Sequence, residues 1–193
     1  MKTLVILRHA KKDGENIAAS ALAEIEANGI KGLNNFVKGE KVSLHLGSGL
    51  DRTAQTVLAF GRYAERVNLY DFQGYISLDK RFGNDEMFKA FFLNPAVVKD
   101  FNDGKTWFEA FNAHDPAFLN KVQADLIKAV KNAFFQINPE ETLVTICHTP
   151  LIEWLVFALD GGRTDRNLRL NELSGFILVE DGGKIEVTGV IGF

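Results

Sequence analysis

The sequence predicts an α/β fold, a single-domain three-layer sandwich in which a mostly parallel sheet is flanked by helices. Two observations predict it. Short runs rich in β-branched and apolar residues, at 3–7, 42–46 and 142–147, have the composition of buried strands, and segments with helical apolar spacing lie between them. That alternation builds parallel sheets. Each run also stops abruptly, at Arg8-His9, at Gly47-Ser48 and at His148, and the carboxyl ends of parallel strands are where open α/β sheets bind ligands.

With 193 residues and 46% hydrophobic content, the chain can bury one substantial core and is short for two domains, so residues 1–193 are expected to form one. A formal charge of -3 excludes a nucleic-acid binder working through a broadly basic face but permits a local cationic pocket. The single cysteine, Cys147, rules out an intramolecular disulfide framework, and its place at the end of a buried run suits an inert core thiol. Met1 to Leu4 lead directly into a strand rather than a signal region, and no run approaches the roughly 18 apolar residues of a membrane span. The expectation is a soluble, cytoplasmic protein with no membrane partner.

Taken in order, residues 3–7 form the first strand. A polar loop over 11–16 precedes a helix over 17–27, rich in good helix formers and stopped at Asn28-Gly29. A short helix over 31–37 leads through Gly39 to the strand at 42–46. The following Gly47-Ser48-Gly49 lacks the third glycine of a dinucleotide fingerprint, its position being taken by Arg52. Residues 51–64 read as a helix, and 67–70 as a third strand. Residues 87–93 are helical, and the aromatic segment 95–116 either folds over the site as a lid or joins the core. Asp115 caps a long amphipathic helix over 117–137, with Phe118, Val122, Leu126, Val130 and Phe134 on one face. After the strand at 142–147, residues 151–159 are an almost wholly apolar helix, for which Pro150 suits the first position. Gly161-Gly162 ends it, a charged loop covers 163–169, and 174–179 with 185–188 read as a hairpin turned at Asp181-Gly182-Gly183.

The strand ends carry the chemistry. An imidazole beside a guanidinium, as in Arg8-His9, suits attack on a phosphoryl group, because the cation neutralises the charge that repels a nucleophile. Arg52 falls in the first turn of its helix, where free backbone N–H groups also face an anion, although a cation there opposes the helix dipole unless an anion visits. Of four histidines only His9 and His148 lie at strand ends, and no His-x-x-x-His pair occurs, so no metal site is expected. His45 alternates with Leu44 and Leu46 within its strand and reads as structural.

The ordered set Leu7-Arg8-His9-Ala10, Ser48-x-x-x-Arg52-x-x-Gln55-Thr56 and His148 resembles the histidine phosphatase superfamily, which includes cofactor-dependent phosphoglycerate mutases and small SixA-like phosphohistidine phosphatases. The resemblance covers most of the chain. It implies that His9 is the nucleophile and becomes phosphorylated, that Arg8 and Arg52 hold the phosphoryl oxygens, and that His148 donates a further hydrogen bond, its protonated form adding positive charge. No metal and no cofactor are implied. Phosphoglycerate mutase-like relatives carry a Glu four residues before a Gly as the acid; Asp79 has that spacing to Gly83, and Glu86 competes with it. Where the family has Gly after its second His, this chain has Thr149-Pro150, closer to the SixA-like His-Asn-Pro form. The expected activity is hydrolysis of a phosphomonoester or phosphoramidate through phosphohistidine. The alternatives are a phosphoglycerate mutase-like phosphotransferase and a catalytically weak phospho-ligand-binding module. The implied partner is a small phosphorylated substrate or a phosphohistidine protein; oligomeric state is not readable.

Overall fold

Alternation of side chains along the central strands decides what lies on each face of the sheet. The structure, a computed structural model, describes residues 1–25, 41–67, 71–77, 79–163 and 170–192. β1 (Lys2–Arg8) is followed by a small separate hairpin of β2 (Lys12–Asp13) and β3 (Asn16–Ile17), formed within what the sequence suggests is a plain polar loop. β4 (Lys41–His45), β5 (Asp71–Ile76), β6 (Glu141–Cys147), β7 (Gly175–Asp181) and β8 (Lys184–Ile191) complete, with β1, a six-stranded sheet in the order β5-β4-β6-β1-β7-β8. β5, β4, β6 and β1 are mutually parallel, and β7 and β8 extend the β1 edge in antiparallel fashion. The parallel part is the centre, and β6 is buried along its whole length, as a strand covered on both faces must be.

Helices cover both faces. Val5, Leu7, Val42, Leu44, Val144 and Ile146 pack towards Ala21 of α1 (Ala19–Glu24) and Val57 and Phe60 of α2 (Asp51–Val67). Leu4, Ile6, Leu143, Cys147, Phe176 and Leu178 face the opposite layer. That layer contains α3 (Asp85–Phe91), α4 (Pro95–Asn102), α5 (Trp107–His114), α6 (Pro116–Phe135) and α7 (Leu151–Leu159). The expected three layers are therefore present. Asp115 caps α6 by accepting from the Phe118 N–H at 3.1 Å, and Thr106 and Glu109 close a reciprocal capping box on α5. No helix among the described residues is long and apolar enough to cross a membrane.

Several boundaries differ from the sequence reading. α2 continues to Val67, where the sequence suggests the start of a third strand, and β5 is Asp71–Ile76; residues 68–70 of that predicted strand lie outside the described residues. The predicted helix over 17–27 appears as Ala19–Glu24; its Asn28-Gly29 stop and the helix at 31–37 lie outside the described residues, as do residues 164–169 of the charged loop. Pro150 is the N-cap of α7 rather than its first residue, and the Thr149–Pro150 peptide is cis. The segment 95–116 forms two short helices whose Phe108 and Phe111 join the core, with Trp107 packed against it and Phe101 left exposed. Phe111 is buried between Phe91, Phe118 and Trp154, and Trp107 stacks on Phe101 with ring centroids 3.9 Å apart. Burial of these rings outweighs any role as a free lid.

The turn after β4 is set by one residue. Gly47 has φ +70°, and a Cβ placed there would come within 2.1 Å of the Ile146 carbonyl oxygen. Gly47→Ala should therefore lower stability by at least about 2 kcal/mol, from left-handed strain together with displacement of the loop against β6. Urea unfolding would measure it, and a midpoint equal to wild type would show that the turn is not constrained in this way.

Candidate active site

The pairing of β1 with β6 places Arg8 opposite Cys147, and the His9 N–H donates to the Cys147 carbonyl at 3.1 Å. The next residue after each strand end is a histidine, so neighbouring parallel strands bring the two imidazoles together. Their ring centroids are 5.2 Å apart, close to the separation of adjacent strands. β4 lies on the other side of β6, and the loop after it brings Ser48 within 2.7 Å of His148 Nε2 and delivers Arg52 in the first turn of α2. Arg52 lies over the ring of Phe88, 5.7 Å from its centroid, and Phe88 in turn packs edge-on against His148. Arg8, His9, Arg52 and His148 thus meet at the carboxyl edge of three adjacent strands.

Short contacts hold the supporting loops. Ala10 N–H donates to Thr56 Oγ1, Ile17 N–H donates to Gln55 Oε1, and Gln55 Nε2 donates to Asn16 Oδ1. Gln55 and Thr56 therefore latch the chain from His9 to the β2–β3 hairpin onto α2, which gives this part of the sequence motif a physical purpose. Ser48 Oγ also meets Thr53 Oγ1, which donates to the Leu50 carbonyl at 2.7 Å. His45 accepts the Gly47 N–H on Nδ1 and shares that nitrogen with Thr145 Oγ1 at 2.8 Å. It supports the turn, in line with the structural role expected of it.

The ring of His9 has a defined tautomer. Its Nδ1 lies 2.7 Å from the Ala10 carbonyl, which can only accept, so Nδ1 carries the proton and Nε2 the lone pair. Burial lowers its pKa to about 4; the Ala10 hydrogen bond opposes the shift, and Arg52, Arg8 and Lys12 add to it. His148 is also held well below its ordinary value by burial, then by His9 and the same cations. In the folded protein by itself this favours the neutral form of His148, whereas the protonated form expected from the resemblance belongs to a site with an anion bound. Arg52 is lowered by burial, against which the carboxylates of Asp85 and Glu15 act. Three buried nitrogens of the site, Arg8 Nε, Arg52 Nε and His148 Nδ1, have no hydrogen-bond partner among the described residues. Donors left this way are costly, and a phosphoryl-like anion is the ligand that would satisfy them.

The two carboxylates singled out from sequence stand apart. Asp79 caps the short 3₁₀ turn Lys80–Phe82, accepting from Arg81 N at 3.0 Å and Nε at 2.8 Å, and pairs with Arg81 Nη2. Burial would raise its pKa, but the Arg81 hydrogen bonds prevail and hold it below the usual value, so here it is an ionised cap rather than a poised acid. Glu86 is exposed in the first turn of α3. Neither is brought against His9. The sequence reading missed Phe88 as a wall, Lys12 as a further source of positive potential, and Glu172, whose carboxylate lies 3.2 Å from Arg8 Nη2. A cation three residues after His9 was the available signal for Lys12. Among the described residues, no three His, Cys, Asp or Glu side chains cluster as metal ligands would.

Neither a protein-family model nor a curated protein matches this chain. Solved structures do. Bacillus stearothermophilus YhfR superposes with a TM-score of 0.66 at 15% identity, over 97% of this chain and 95% of that one. Phosphoglycerate mutase from Bacillus anthracis gives 0.62 at 18% identity, over 98% and 92%. A mycobacterial glucosyl-3-phosphoglycerate phosphatase, in a structure with VO3, gives 0.61 at 15% identity and covers both chains completely, 100% of each.

Because His9, His45 and His148 are neutral in the folded protein, the unfolded chain binds more protons than the native one once the pH falls below about 6.5. Their contribution to stability is present above that value and is lost on acidification, down to about pH 4 for His9 and His45. NMR titration of the His9 ring should place its midpoint near 4; a midpoint near 6.5 would contradict the buried, cation-flanked geometry. At this level of identity the comparisons establish the architecture alone: the chain has the fold of YhfR, of the Bacillus anthracis phosphoglycerate mutase and of the mycobacterial glucosyl-3-phosphoglycerate phosphatase.

Proposed function

We propose that the protein is a phosphatase that hydrolyses a phosphomonoester or phosphoramidate through a phosphohistidine on His9. One observation carries this reading: the His9 Nδ1–H is committed to the Ala10 carbonyl, which leaves a neutral Nε2 lone pair among Arg8, Arg52 and His148. Nε2 attacks phosphorus, an N–P bond forms and the bond to the leaving group breaks. Water then attacks the phosphoryl group, the N–P bond breaks, and inorganic phosphate leaves with His9 restored. Arg8 and Arg52 neutralise the equatorial oxygens. A bound dianion would also raise the pKa of His148 and restore its capacity to donate. The Entamoeba histolytica phosphoserine phosphatase (TM-score 0.60, 14% identity) and the mycobacterial glucosyl-3-phosphoglycerate phosphatase, which share the fold, carry phosphatase activity in their names, which supports the reading. His9→Ala should abolish turnover of p-nitrophenyl phosphate together with an acid-labile phosphoenzyme. Phosphate trapped by mass spectrometry on another residue would refute the role given to His9.

Metal independence belongs to the same proposal. Two guanidinium groups beside two imidazoles repel a dication and already supply the charge that a metal would. Activity in excess EDTA should equal that of the untreated protein, and activity lost to EDTA and restored by a divalent cation would reverse this part. The proposed ligand is a small phosphorylated molecule or a phosphohistidine protein.

The leaving oxygen needs a proton, and a positioned acid contributes about 10²–10⁴-fold. Asp79, tied to Arg81, favours the alternative of a binding module with weak acid catalysis, and Glu86 remains the candidate free to donate. Glu86→Gln should slow an alkyl phosphate far more than an aryl phosphate, and Asp79→Asn should slow both by a similar factor. Equal small losses on both substrates in both variants would leave the binding module as the better reading. The phosphoglycerate mutase-like alternative predicts transfer of the phosphoryl group to an added hydroxy acid in place of water.

A further inference from the structure

Glu153 is a carboxyl group that the proposed chemistry does not use. It lies in the first turn of α7, is 3% exposed, and faces the same backbone segment as Arg8. Leu170 connects the two. Its N–H donates to Glu153 Oε1 at 3.4 Å, and its carbonyl accepts from Arg8 Nη1 at 2.6 Å. The main chain of Arg8 is tied to the same turn, through Arg8 N–H to the Ser174 carbonyl at 2.8 Å and Leu173 N–H to the Arg8 carbonyl at 3.1 Å. Glu153 Oε2 and Arg8 Nε are both buried without a hydrogen-bond partner among the described residues. A carboxylate behind a phosphate-binding arginine is costly to bury, and core packing alone would be better served by an apolar residue.

We propose that Glu153 is a positioning residue: acting through Leu170 it fixes the Arg8 guanidinium, and its charge state sets how much of the Arg8 charge is available to a bound phosphoryl group. This rests on the reading of the site as a phosphoryl pocket. Burial raises the Glu153 pKa to about 7, opposed by backbone hydrogen bonds and by Arg8. Among the described residues, the groups that face it are Arg8 from β1, Cys147 from the end of β6, whose thiol burial pushes up to about 12, and, across Arg8, Glu172. Of these, Glu153 is the one placed to change charge near neutrality. Protonated, it leaves the Arg8 field to the ligand; ionised, it competes for that field. Anion binding and Glu153 protonation therefore favour each other, and affinity falls as pH rises through about 7.

The test is tungstate binding by calorimetry across the neutral range, with tungstate dilute enough to stay the monomeric dianion throughout. In the wild type the dissociation constant should rise roughly fivefold or more between about pH 6 and about pH 8. Glu153→Gln keeps an acceptor for the Leu170 N–H but cannot ionise, so its affinity should vary with pH less than that of the wild type, the remaining slope being that of His148, and should match the wild type at the acid end. Glu172→Gln, which removes the other carboxylate on Arg8, should retain the slope. A flat wild-type profile, or an unchanged slope in Glu153→Gln, overturns the proposal. Carboxyl ¹³C NMR of the wild type provides a check independent of the variants: the Glu153 midpoint should move upwards on saturation with tungstate, and a midpoint that does not move is equally fatal. Wild type that binds tungstate with this dependence but hydrolyses no phosphate ester would overturn the enzyme reading and leave Glu153 in its role. Wild type that does not bind tungstate overturns both.

Discussion

The site depends first on the parallel register between β1 and β6. With Arg8 opposite Cys147, the residue following each strand is a histidine, and the spacing of the sheet brings the two rings to 5.2 Å from each other. Had the pairing slipped by one residue, one ring would have turned to the opposite face of the sheet. Burial of β6 along both faces protects against such a slip, since Val144 and Ile146 would exchange places with Leu143 and Thr145. The core thus specifies the chemistry by specifying the register.

The electrostatic consequences follow from where that register places the rings. Two imidazoles taken out of water beside two arginines and Lys12 cannot hold protons near neutrality, so the site presents neutral nitrogens within a positive field. For the nucleophile proposed here this is the useful state, because the lone pair is free and the charge that would attract an anion lies on other groups. Neighbouring carboxylates temper the field. Asp85 and Glu15 act on Arg52, and Glu172 pairs with Arg8, so the cations are partly compensated before any anion arrives. Binding then exchanges one set of partners for another, which limits the cost of keeping like charges close together.

The supporting residues form a second tier with its own logic. Gln55 and Thr56 anchor the loop after β1, His45 and Thr145 support the Gly47 turn, and Ser48 meets His148 through a hydroxyl group that can donate or accept. Each is a short-range hydrogen bond between segments distant in sequence, and each removes freedom from a loop that carries a site residue. Pre-organisation of this kind makes weak individual contacts matter to chemistry.

The sequence by itself determined the strand and helix alternation and the residues at the strand ends, since both depend on local composition and periodicity. The runs at 3–7 and 142–147, the capped helix beginning near Asp115 and the terminal hairpin were all legible for that reason. The tertiary structure decided which strands are neighbours, and with that the meeting of His9, His148 and Arg52. It also decided protonation. His148 is neutral because of burial and of cations far away along the chain, Asp79 is ionised because Arg81 folds back onto it, and Glu153 is weakly acidic because α7 is covered. No pattern of spacing encodes these states, because desolvation and charge proximity are properties of the packed molecule.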